Sequence, residues 1–201
     1  MRLRQYLLSN NMRTKFLRNY VFKPNQVGAV TPSSRYLCRM IVDGFDWKTA
    51  KYAVEYGPGT GAATPMIMQA VQPGAKFFAV ERNPEFCQLL REKLPNLDLA
   101  EDSAVNIVEL CKQRDIPHLD AVVSGLPWAS FPESLQIEIL DSMMQVLRPG
   151  GQFATFAYLQ GLLLPAAKRF RKQLDKYFSK VEMSPTVWRN LPPAFVYRCV
   201  R

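Results

Sequence analysis

A glycine-rich turn and three acidic side chains are the residues whose types and spacing indicate chemistry in this sequence. The turn reads VEYGPGTG over residues 54–61, and the acids are Glu55, Glu81 and Asp102. Each acid lies within or just after a stretch whose composition is typical of a β-strand. Because ligands of open parallel sheets bind outside the carboxyl ends of the strands, the three acids together predict one ligand site.

Electrostatics distinguishes between two adenosine-containing ligands that this turn could bind, a dinucleotide and S-adenosylmethionine. With Ala62, the turn also fits the fingerprint of nicotinamide-dinucleotide sites, in which a pyrophosphate lies on the glycines. Glu55, two residues before Gly57, would repel a pyrophosphate but attract the ammonium and sulfonium groups of S-adenosylmethionine. The sequence therefore favours S-adenosylmethionine, and a dinucleotide stays the alternative.

The other two acids fit the adenosine part of such a ligand. Glu81 lies twenty residues after Gly61, where a carboxylate accepts hydrogen bonds from both ribose hydroxyls. Asp102 follows the third predicted strand and can accept from the adenine amino group, while Ser103 caps the next helix. Alone, each acid would be an ordinary surface residue. Their combination is what indicates a nucleoside.

The elements that must position these residues alternate between strand and helix from residue 50 onward. Apolar runs and alternation predict strands over residues 51–56, 76–81, 97–100, 121–124 and 151–158. Asn83 followed by Pro84 predicts a helix start, and the run from Arg148 to Gly151 predicts a stop and a turn. This succession predicts an α/β fold with a doubly wound, mainly parallel sheet.

Size and composition bound the class of protein. The chain has 201 residues, of which 48% are hydrophobic, and this suits a substantial core. We divide it into a basic segment, 1–43, and a ligand-binding domain, 44–201. The four cysteines lie far apart and His118 is the only histidine, so we expect no metal and a reduced, cytosolic protein. No uncharged stretch reaches the length of a membrane span.

Charge is segregated along the chain. Residues 1–43 carry a net charge of +7, residues 44–150 carry −5 and residues 151–201 carry +7, within a total of +9. Two basic ends around an acidic middle predict a face turned toward a polyanion, either a nucleic acid or an anionic bilayer. Solvated charge that keeps the protein soluble is the simpler alternative.

Two of the basic stretches have patterns that suit a membrane surface. Over residues 1–21, apolar side chains form a broad helical face with basic side chains opposite, as in helices that lie flat on anionic lipid. A lid helix over the ligand and a cleaved targeting peptide are the alternatives. Residues 168–180 hold six further basic side chains, interrupted by Leu174, Tyr177 and Phe178. This stretch is a second candidate for lipid contact, or a solvated helix face.

Four motifs together resemble those of a known enzyme family. They are GPGTG at 57–61, the acid in AVERN at 79–83, EDSA at 101–104 and LRPGG at 147–151. This succession resembles class I S-adenosylmethionine-dependent methyltransferases, which implies a seven-stranded Rossmann-like sheet with two final antiparallel strands near residues 180–183 and 194–200. The predicted cofactor-binding residues are Glu55, Gly57, Pro58, Gly59, Thr60, Gly61, Glu81, Arg82, Asp102, Ser103 and Ser124.

Three further motifs narrow the resemblance to the bacterial phospholipid N-methyltransferases. They are GAVTPSSR at 28–35, SGLPW at 124–128 and NLPPAFVYR at 190–198. Enzymes of this family convert phosphatidylethanolamine toward phosphatidylcholine. The resemblance therefore implies phosphatidylethanolamine and its mono- and dimethyl forms as acceptors, and a cytoplasmic enzyme associated peripherally with the inner face of the cytoplasmic membrane.

The loop after the fourth predicted strand is the expected place of chemistry. In amino-methylating relatives an equivalent loop holds the nitrogen with backbone carbonyls and an aromatic ring, and the matching groups here are the Leu126 carbonyl and Trp128. An indole face attracts methylated cations, and a core tryptophan is the alternative. Orientation and exclusion of water would then drive the transfer. We assign no general base, since His118 fits the loop that leads into strand four.

Two other functions stay open at the level of sequence. An RNA adenine dimethyltransferase would share the fold and the basic ends. Against it, we expect too little chain after the last strand for the additional helical domain of such enzymes. The SGLPW loop also differs from the Asn-Pro-Pro-Tyr type of amide and base methylation, so nucleic acid is not the expected partner. A non-catalytic membrane-binding protein on the same fold is the other hypothesis.

Overall fold

The structure is a computed structural model that describes residues 33–201. The stretch over residues 1–21 and most of the GAVTPSSR motif lie outside the described residues. The helices of the described part are α1 (Arg35–Val42), α2 (Thr64–Ala70), α3 (Pro84–Lys93), α4 (Ile107–Lys112), α5 (Glu133–Val146) and α6 (Pro165–Tyr177). Its strands are β1 (Tyr52–Tyr56), β2 (Lys76–Glu81), β3 (Leu99–Glu101), β4 (Leu119–Ser124), β5 (Leu147–Tyr158), β6 (Lys180–Met183) and β7 (Ala194–Val200).

All seven strands belong to one sheet with the order β3-β2-β1-β4-β5-β7-β6. The pairs among β1 to β5 are all parallel, while β7 is antiparallel to both β5 and β6. This confirms the predicted doubly wound, mainly parallel sheet and its antiparallel end. The predicted helix start is also confirmed, because Asn83 caps α3 and Pro84 is its first residue.

The largest difference from the predicted strands is at the start of β5. The run from Arg148 to Gly151 does end α5, but it lies inside the strand instead of forming a turn before it. Leu119 of β4 pairs with Leu147, and the next pair in register joins Ala121 to Gln152. The extra residues of β5 form an irregular bulge, which a local turn signal does not distinguish from a loop.

Apolar side chains cover both faces of the sheet, as expected when helices pack on each side of parallel strands. On one face, α1 and α2 are anchored by Leu37, Ile41 and Ile67. On the other face, the helices α4, α5 and α6 bury Ile107, Leu140 and Leu174. Although α1 belongs to the predicted basic segment 1–43, it therefore packs on the sheet together with the rest of residues 33–201.

The register aligns the ends of the central strands in one row. Tyr56 pairs with both Val80 and Ser124. The ladder continues one residue further, because Gly57 N donates to Val80 O at 2.8 Å and Gly125 N donates to Tyr56 O at 2.8 Å. The segments that follow β1 and β4 thus start level with each other. We call this side of the sheet the carboxyl edge and the opposite side the amino edge.

Asp120 joins three segments at the amino edge. Its Oδ2 accepts from Lys51 N at 2.8 Å and Tyr52 N at 2.9 Å, and Arg148 Nε donates to its Oδ1. Burial alone would raise the pKa of Asp120, but the Arg148 guanidinium and the two backbone donors lower it below its usual value. His118 Nε2 lies 3.6 Å from Asp120 Oδ1, so the histidine lies at the edge opposite to the predicted site.

Candidate active site at the carboxyl edge

The turn after β1 owes its close packing to glycines. A Cβ at Gly57 would lie 2.7 Å from Leu126 Cδ2, and a Cβ at Gly125 would lie 2.5 Å from Gly57 O. These two glycines therefore allow the turn after β1 and the loop after β4 to pack against each other. Gly59, whose φ angle is +55°, has no atom within 4 Å of its Cβ position. Gly59 is thus the glycine beside which a ligand has room to lie.

Glu81 connects the end of β2 to the open part of this turn. Its Oε2 accepts from Gly59 N at 3.1 Å and its Oε1 accepts from Asn83 N at 2.9 Å. The residue is 8% exposed, so the carboxylate is held in place by packing as well as by hydrogen bonds. Each carboxylate oxygen keeps a further lone pair that can accept from a ribose hydroxyl.

Glu55 is a buried carboxylate with an unsatisfied oxygen. The residue is 3% exposed, and its Oε2 has no hydrogen-bond partner among residues 33–201. Burial raises the pKa of Glu55 to about 7; the Thr64 hydroxyl acts in the opposite direction, and the Glu81 carboxylate nearby raises the pKa further. A cation next to Oε2 would satisfy the oxygen and favour the charged form. This arrangement fits the ammonium group of S-adenosylmethionine.

Asp102 and Ser103 shape the turn after β3. Asp102 N donates to Glu81 O at 3.0 Å, which brings the second and third acids side by side. Asp102 Oδ1 accepts from Ser103 N at 2.6 Å and Asn106 Nδ2 at 2.7 Å. Ser103 Oγ accepts from Val105 N, so the predicted cap is confirmed, although it begins a short 3-10 helix. The role of Asp102 toward an adenine stays a prediction.

The SGLPW loop, residues 124–128, folds around its own serine. Ser124 Oγ accepts from Leu126 N at 3.3 Å and from Trp128 Nε1 at 3.0 Å. Leu126 O, the carbonyl predicted to hold the acceptor nitrogen, accepts from Trp128 N at 3.0 Å. Ser124 is fully buried, and its hydroxyl holds the loop together in this structure.

Trp128 lies in the core. It is 3% exposed, and its ring stacks on Phe170 with centroids 4.9 Å apart and an interplanar angle of 17°. Phe131 and Phe153 pack edge-on at 6.3 Å and 5.9 Å. This position agrees with the alternative that Trp128 is a core tryptophan, because Phe170 covers one face of its indole ring. A contact between this ring and a methylated cation stays a prediction of the resemblance.

The remaining predicted residues differ in their surroundings. Pro58 is buried, and Thr60 O accepts from Lys93 Nζ at 3.0 Å. Arg82 is exposed. Sequence reasoning missed Thr64 at the start of α2, whose buried Oγ1 lies beside the Glu55 carboxylate and lowers its pKa, although it makes no hydrogen bond of standard geometry in residues 33–201. Thr64 is followed by Pro65, and Thr-Pro is typical of an ordinary helix start, so the sequence gives no sign that Thr64 belongs to a site.

No group of three His, Cys, Asp or Glu side chains in the described range could hold a metal.

Comparison with known proteins agrees with this geometry. A family model described as a methyltransferase domain matches residues 54–155, which include the turn, the acids and the SGLPW loop. The chain belongs to the S-adenosylmethionine-dependent methyltransferases. The methyltransferase is 34% identical over 187 residues to the ornithine lipid N-methyltransferase of Singulisphaera acidiphila, and the match covers 92% of this chain and 93% of that protein.

A second relative matches less of the methyltransferase. The dimethyladenosine transferase of Schizosaccharomyces pombe is 28% identical over 113 residues, which cover 56% of this chain and 36% of that protein. The match therefore concerns a part of the dimethyladenosine transferase, whereas the match to the ornithine lipid enzyme spans nearly both chains.

Solved structures confirm the class I fold. The O-methyltransferase from Bacillus cereus, in complex with S-adenosylhomocysteine, has a TM-score of 0.68 at 11% identity, over 92% of this chain and 90% of that one. The O-methyltransferase TomG from Streptomyces achromogenes, in complex with S-adenosylmethionine, has a TM-score of 0.65 at 14% identity, over 92% and 88%. S-adenosylmethionine is the cofactor of this methyltransferase, as the sequence predicts, and the open Gly59 and the unsatisfied Glu55 fit it.

Proposed function

We propose that the methyltransferase methylates the amine of phosphatidylethanolamine, and then its mono- and dimethyl forms, toward phosphatidylcholine. The observation that carries this proposal is the 34% identity to an ornithine lipid N-methyltransferase over nearly the whole of both chains. An ornithine lipid and phosphatidylethanolamine both carry an alkyl amine at the surface of a membrane. The SGLPW, GAVTPSSR and NLPPAFVYR motifs support the choice of a phospholipid.

Some residues of the carboxyl edge are proposed to bind the cofactor, and others to bind the acceptor. When bound, S-adenosylmethionine supplies an activated methyl group on a sulfonium. Glu55 in its ionised form binds the ammonium end of the cofactor, and Glu81 binds the ribose hydroxyls. The loop over residues 124–128 packs directly on the turn after β1, through Gly125 and Gly57. An acceptor held by this loop would therefore lie next to the cofactor site.

The acceptor ammonium must release a proton to solvent before the nitrogen lone pair can attack the methyl group, whose bond to the sulfonium sulfur breaks as the bond to nitrogen forms. Apolar surroundings lower the pKa of an ammonium group, because burial disfavours the charged form. Exclusion of water and fixed orientation then supply much of the rate enhancement. A dedicated base is not needed for this scheme, and His118 at the amino edge lies beside Asp120 instead.

We propose that the reaction takes place at the inner face of the cytoplasmic membrane. Among residues 33–201, no helix combines the length and the apolar character needed to cross a bilayer. In the basic stretch 168–180, Leu174 and Phe178 are buried in the core, at 0% and 6% exposure. Tyr177 is half-buried and donates to Asp141 Oδ1. The basic side chains are therefore the part of this stretch that we expect to reach lipid; those exposed on α6 are Lys168, Arg169, Lys172 and Lys176. Residues 1–21 are the other proposed membrane contact.

Methyl transfer from radiolabelled S-adenosylmethionine tests the proposal directly. The full chain is given vesicles of phosphatidylethanolamine and phosphatidylglycerol, vesicles with ornithine lipid, or structured RNA, and the lipid products are separated by chromatography. We expect label in mono-, di- and trimethylated phosphatidylethanolamine, and much less label with the Glu81→Ala variant at the same cofactor concentration. Deletion of residues 1–21 is expected to reduce vesicle binding.

Other outcomes would change the proposal in defined ways. Label in ornithine lipid but not in phosphatidylethanolamine would keep lipid N-methylation and replace the acceptor. Label in RNA alone would keep the cofactor and overturn the lipid substrate. Vesicle binding without label in any acceptor would favour the non-catalytic membrane protein.

A further inference from the structure

The β6–β7 loop, residues 184–193, brings together two motifs that the cofactor site does not use. Asn190 in this loop is 3% exposed, and its Oδ1 accepts from Ser34 N at 2.8 Å. Its Nδ2 donates to Pro192 O at 2.7 Å, which closes the loop on itself. The GAVTPSSR and NLPPAFVYR motifs therefore meet at the start of α1. This junction lies at the carboxyl edge, because β7 begins and β6 ends there.

Two arginine side chains converge on one phenol at this junction. Arg189 Nη1 donates to Tyr36 Oη at 2.8 Å, and Arg35 Nη2 donates to the same oxygen at 3.1 Å. Each guanidinium lies 5.0 Å from the Tyr36 ring centroid. None of the ion pairs within residues 33–201 involves Arg35 or Arg189. Hydrogen bonds from the two arginines lower the pKa of Tyr36, as expected where two guanidinium groups surround one oxygen.

Exposed apolar side chains share the same edge. The large hydrophobic side chains that are exposed within residues 33–201 are Leu163, Leu164, Met183, Trp188 and Leu191, at 83%, 54%, 49%, 72% and 79% exposure. Met183 ends β6, and Leu163 and Leu164 follow the end of β5. Leu159 N donates to Pro193 O at 2.9 Å, so the segment after β5 adjoins the β6–β7 loop. Exposed apolar groups collected beside unpaired cations mark an interaction surface.

We infer that Arg35, Tyr36 and the β6–β7 loop form a bilayer-docking surface, in which the guanidinium groups bind lipid phosphates and Trp188 and Leu191 enter the membrane interface. A planar guanidinium matches the oxygens of a phosphate. A tryptophan that is apolar at one end and polar at the other suits the boundary between headgroups and acyl chains. The choice of lipid rests on the proposed function.

The exposed apolar side chains favour an anionic bilayer over a nucleic acid as the partner of this surface. A nucleic acid also presents phosphates to arginines, but it offers no apolar phase for Leu191, which is 79% exposed. Docking through this surface would turn the carboxyl edge toward the membrane. The turn after β1 and the loop over residues 124–128 would then face the plane in which the lipid amines lie.

Vesicle sedimentation of the full chain tests the arginines. The Arg35→Gln/Arg189→Gln double variant is compared with Lys48→Gln/Lys51→Gln, in which two exposed lysines near the amino edge are changed. Both variants lose the same charge. With vesicles of phosphatidylethanolamine and phosphatidylglycerol, we expect binding to weaken about tenfold for the arginine pair and less than about twofold for the lysine pair. Equal weakening in both would overturn the assignment.

Fluorescence quenching by lipids with brominated acyl chains tests the insertion of Trp188. We expect quenching in the wild type and in Trp47→Phe, and its loss in Trp188→Phe. Trp128 is 3% exposed, and Trp47 donates its ring N–H to Val42 O at 2.8 Å within the fold. Neither is therefore expected to reach the lipid. Absence of quenching in the wild type would overturn the insertion.

Methyl transfer by the same variants separates this inference from the proposed function. If the wild type methylates no lipid, but vesicle binding depends on the arginines and Trp188, the reaction is wrong and the docking surface stands. If lipid is methylated while the double arginine variant binds vesicles like the wild type, the surface is wrong and the reaction stands. Binding of structured RNA that depends on the same arginines, without vesicle binding, would assign the surface to nucleic acid.

Discussion

The two edges of the sheet hold buried carboxylates in opposite states. At the amino edge, Asp120 accepts from two backbone N–H groups and from Arg148, and its pKa is lowered. At the carboxyl edge, Glu55 Oε2 has no partner within the described residues, and burial raises the pKa of Glu55 to about 7. A satisfied buried charge stabilises the fold, whereas an unsatisfied one destabilises it until a ligand binds. The comparison separates a structural carboxylate from a binding carboxylate.

The largest effect is expected at the amino edge. In Asp120→Ala, Lys51 N and Tyr52 N lose their buried acceptor and Arg148 loses its partner. We expect the free energy of unfolding, measured by urea denaturation, to fall by about 4 kcal/mol. The dissociation constant for S-adenosylmethionine, measured by calorimetry at a temperature where the variant is folded, should change less than about twofold. Weakened cofactor binding in a stable variant would show that the two edges are not independent.

The second effect is a pH dependence caused by Glu55. Its pKa rises from 4.5 to about 7 on folding, so the folded state holds the proton more tightly than the unfolded state. The free energy of unfolding without cofactor should therefore fall by about 3 kcal/mol as the pH rises from about 4.5 to about 7, and then level off. Urea denaturation of the wild type and Glu55→Gln checks this, because the variant should lack this component.

Cofactor binding should show the opposite pH dependence. The ammonium of S-adenosylmethionine favours the ionised form of Glu55. The dissociation constant should therefore increase as the pH falls below about 7, by up to about tenfold per pH unit. Calorimetric titration over this range, with Glu55→Gln as the control, measures it. A wild type whose affinity does not change with pH would contradict the assignment of Glu55 to the ammonium group.

The third effect concerns Glu81. Glu81→Ala removes the acceptor of Gly59 N and the proposed acceptor of the ribose hydroxyls, so binding of S-adenosylmethionine should weaken by about 2 kcal/mol, or roughly thirtyfold. Glu81→Gln should lose less, since its amide keeps one acceptor oxygen. Vesicle sedimentation should remain within about twofold of the wild type. Equal losses of cofactor and vesicle binding would contradict the separation of the cofactor site from the membrane surface.

The smallest effect is expected for Trp128. Trp128→Phe keeps the stack on Phe170 but loses the hydrogen bond to Ser124 Oγ, and we expect a loss of about 1 kcal/mol in the free energy of unfolding. Methyl transfer should remain within about threefold of the wild type if the indole has only a packing role. A loss of methyl transfer of about a hundredfold at unchanged stability would instead show that the ring contacts the acceptor, as the family resemblance implies.

Sequence alone predicts the parts of this fold that depend on local signals. Asn83 and Pro84 start a helix because a cap and a fixed φ act within one turn. The bulge of β5 was missed because it depends on pairing between Leu119 and Leu147 across two strands. The fold therefore follows from local patterns except where strands pair irregularly.

The site is predicted less completely than the fold. Spacing brings the three acids to one edge, but it does not show that Glu81 binds the backbone of Gly59 or that Glu55 is left unsatisfied. The burial of Trp128 depends on Phe170, which comes from α6. Such contacts are set by the packing of distant segments, so no local pattern records them.

The contact between Gly57 and Gly125 has a consequence for the geometry of transfer. The two backbones touch because neither residue has a Cβ, and an added Cβ at Gly125 would lie 2.5 Å from Gly57 O. A displacement of about 1 Å between reacting groups can cost a hundredfold in rate. If the cofactor and the acceptor lie on these two segments, their separation is a property of the main chain. It then stays constant while the side chains around them change rotamer.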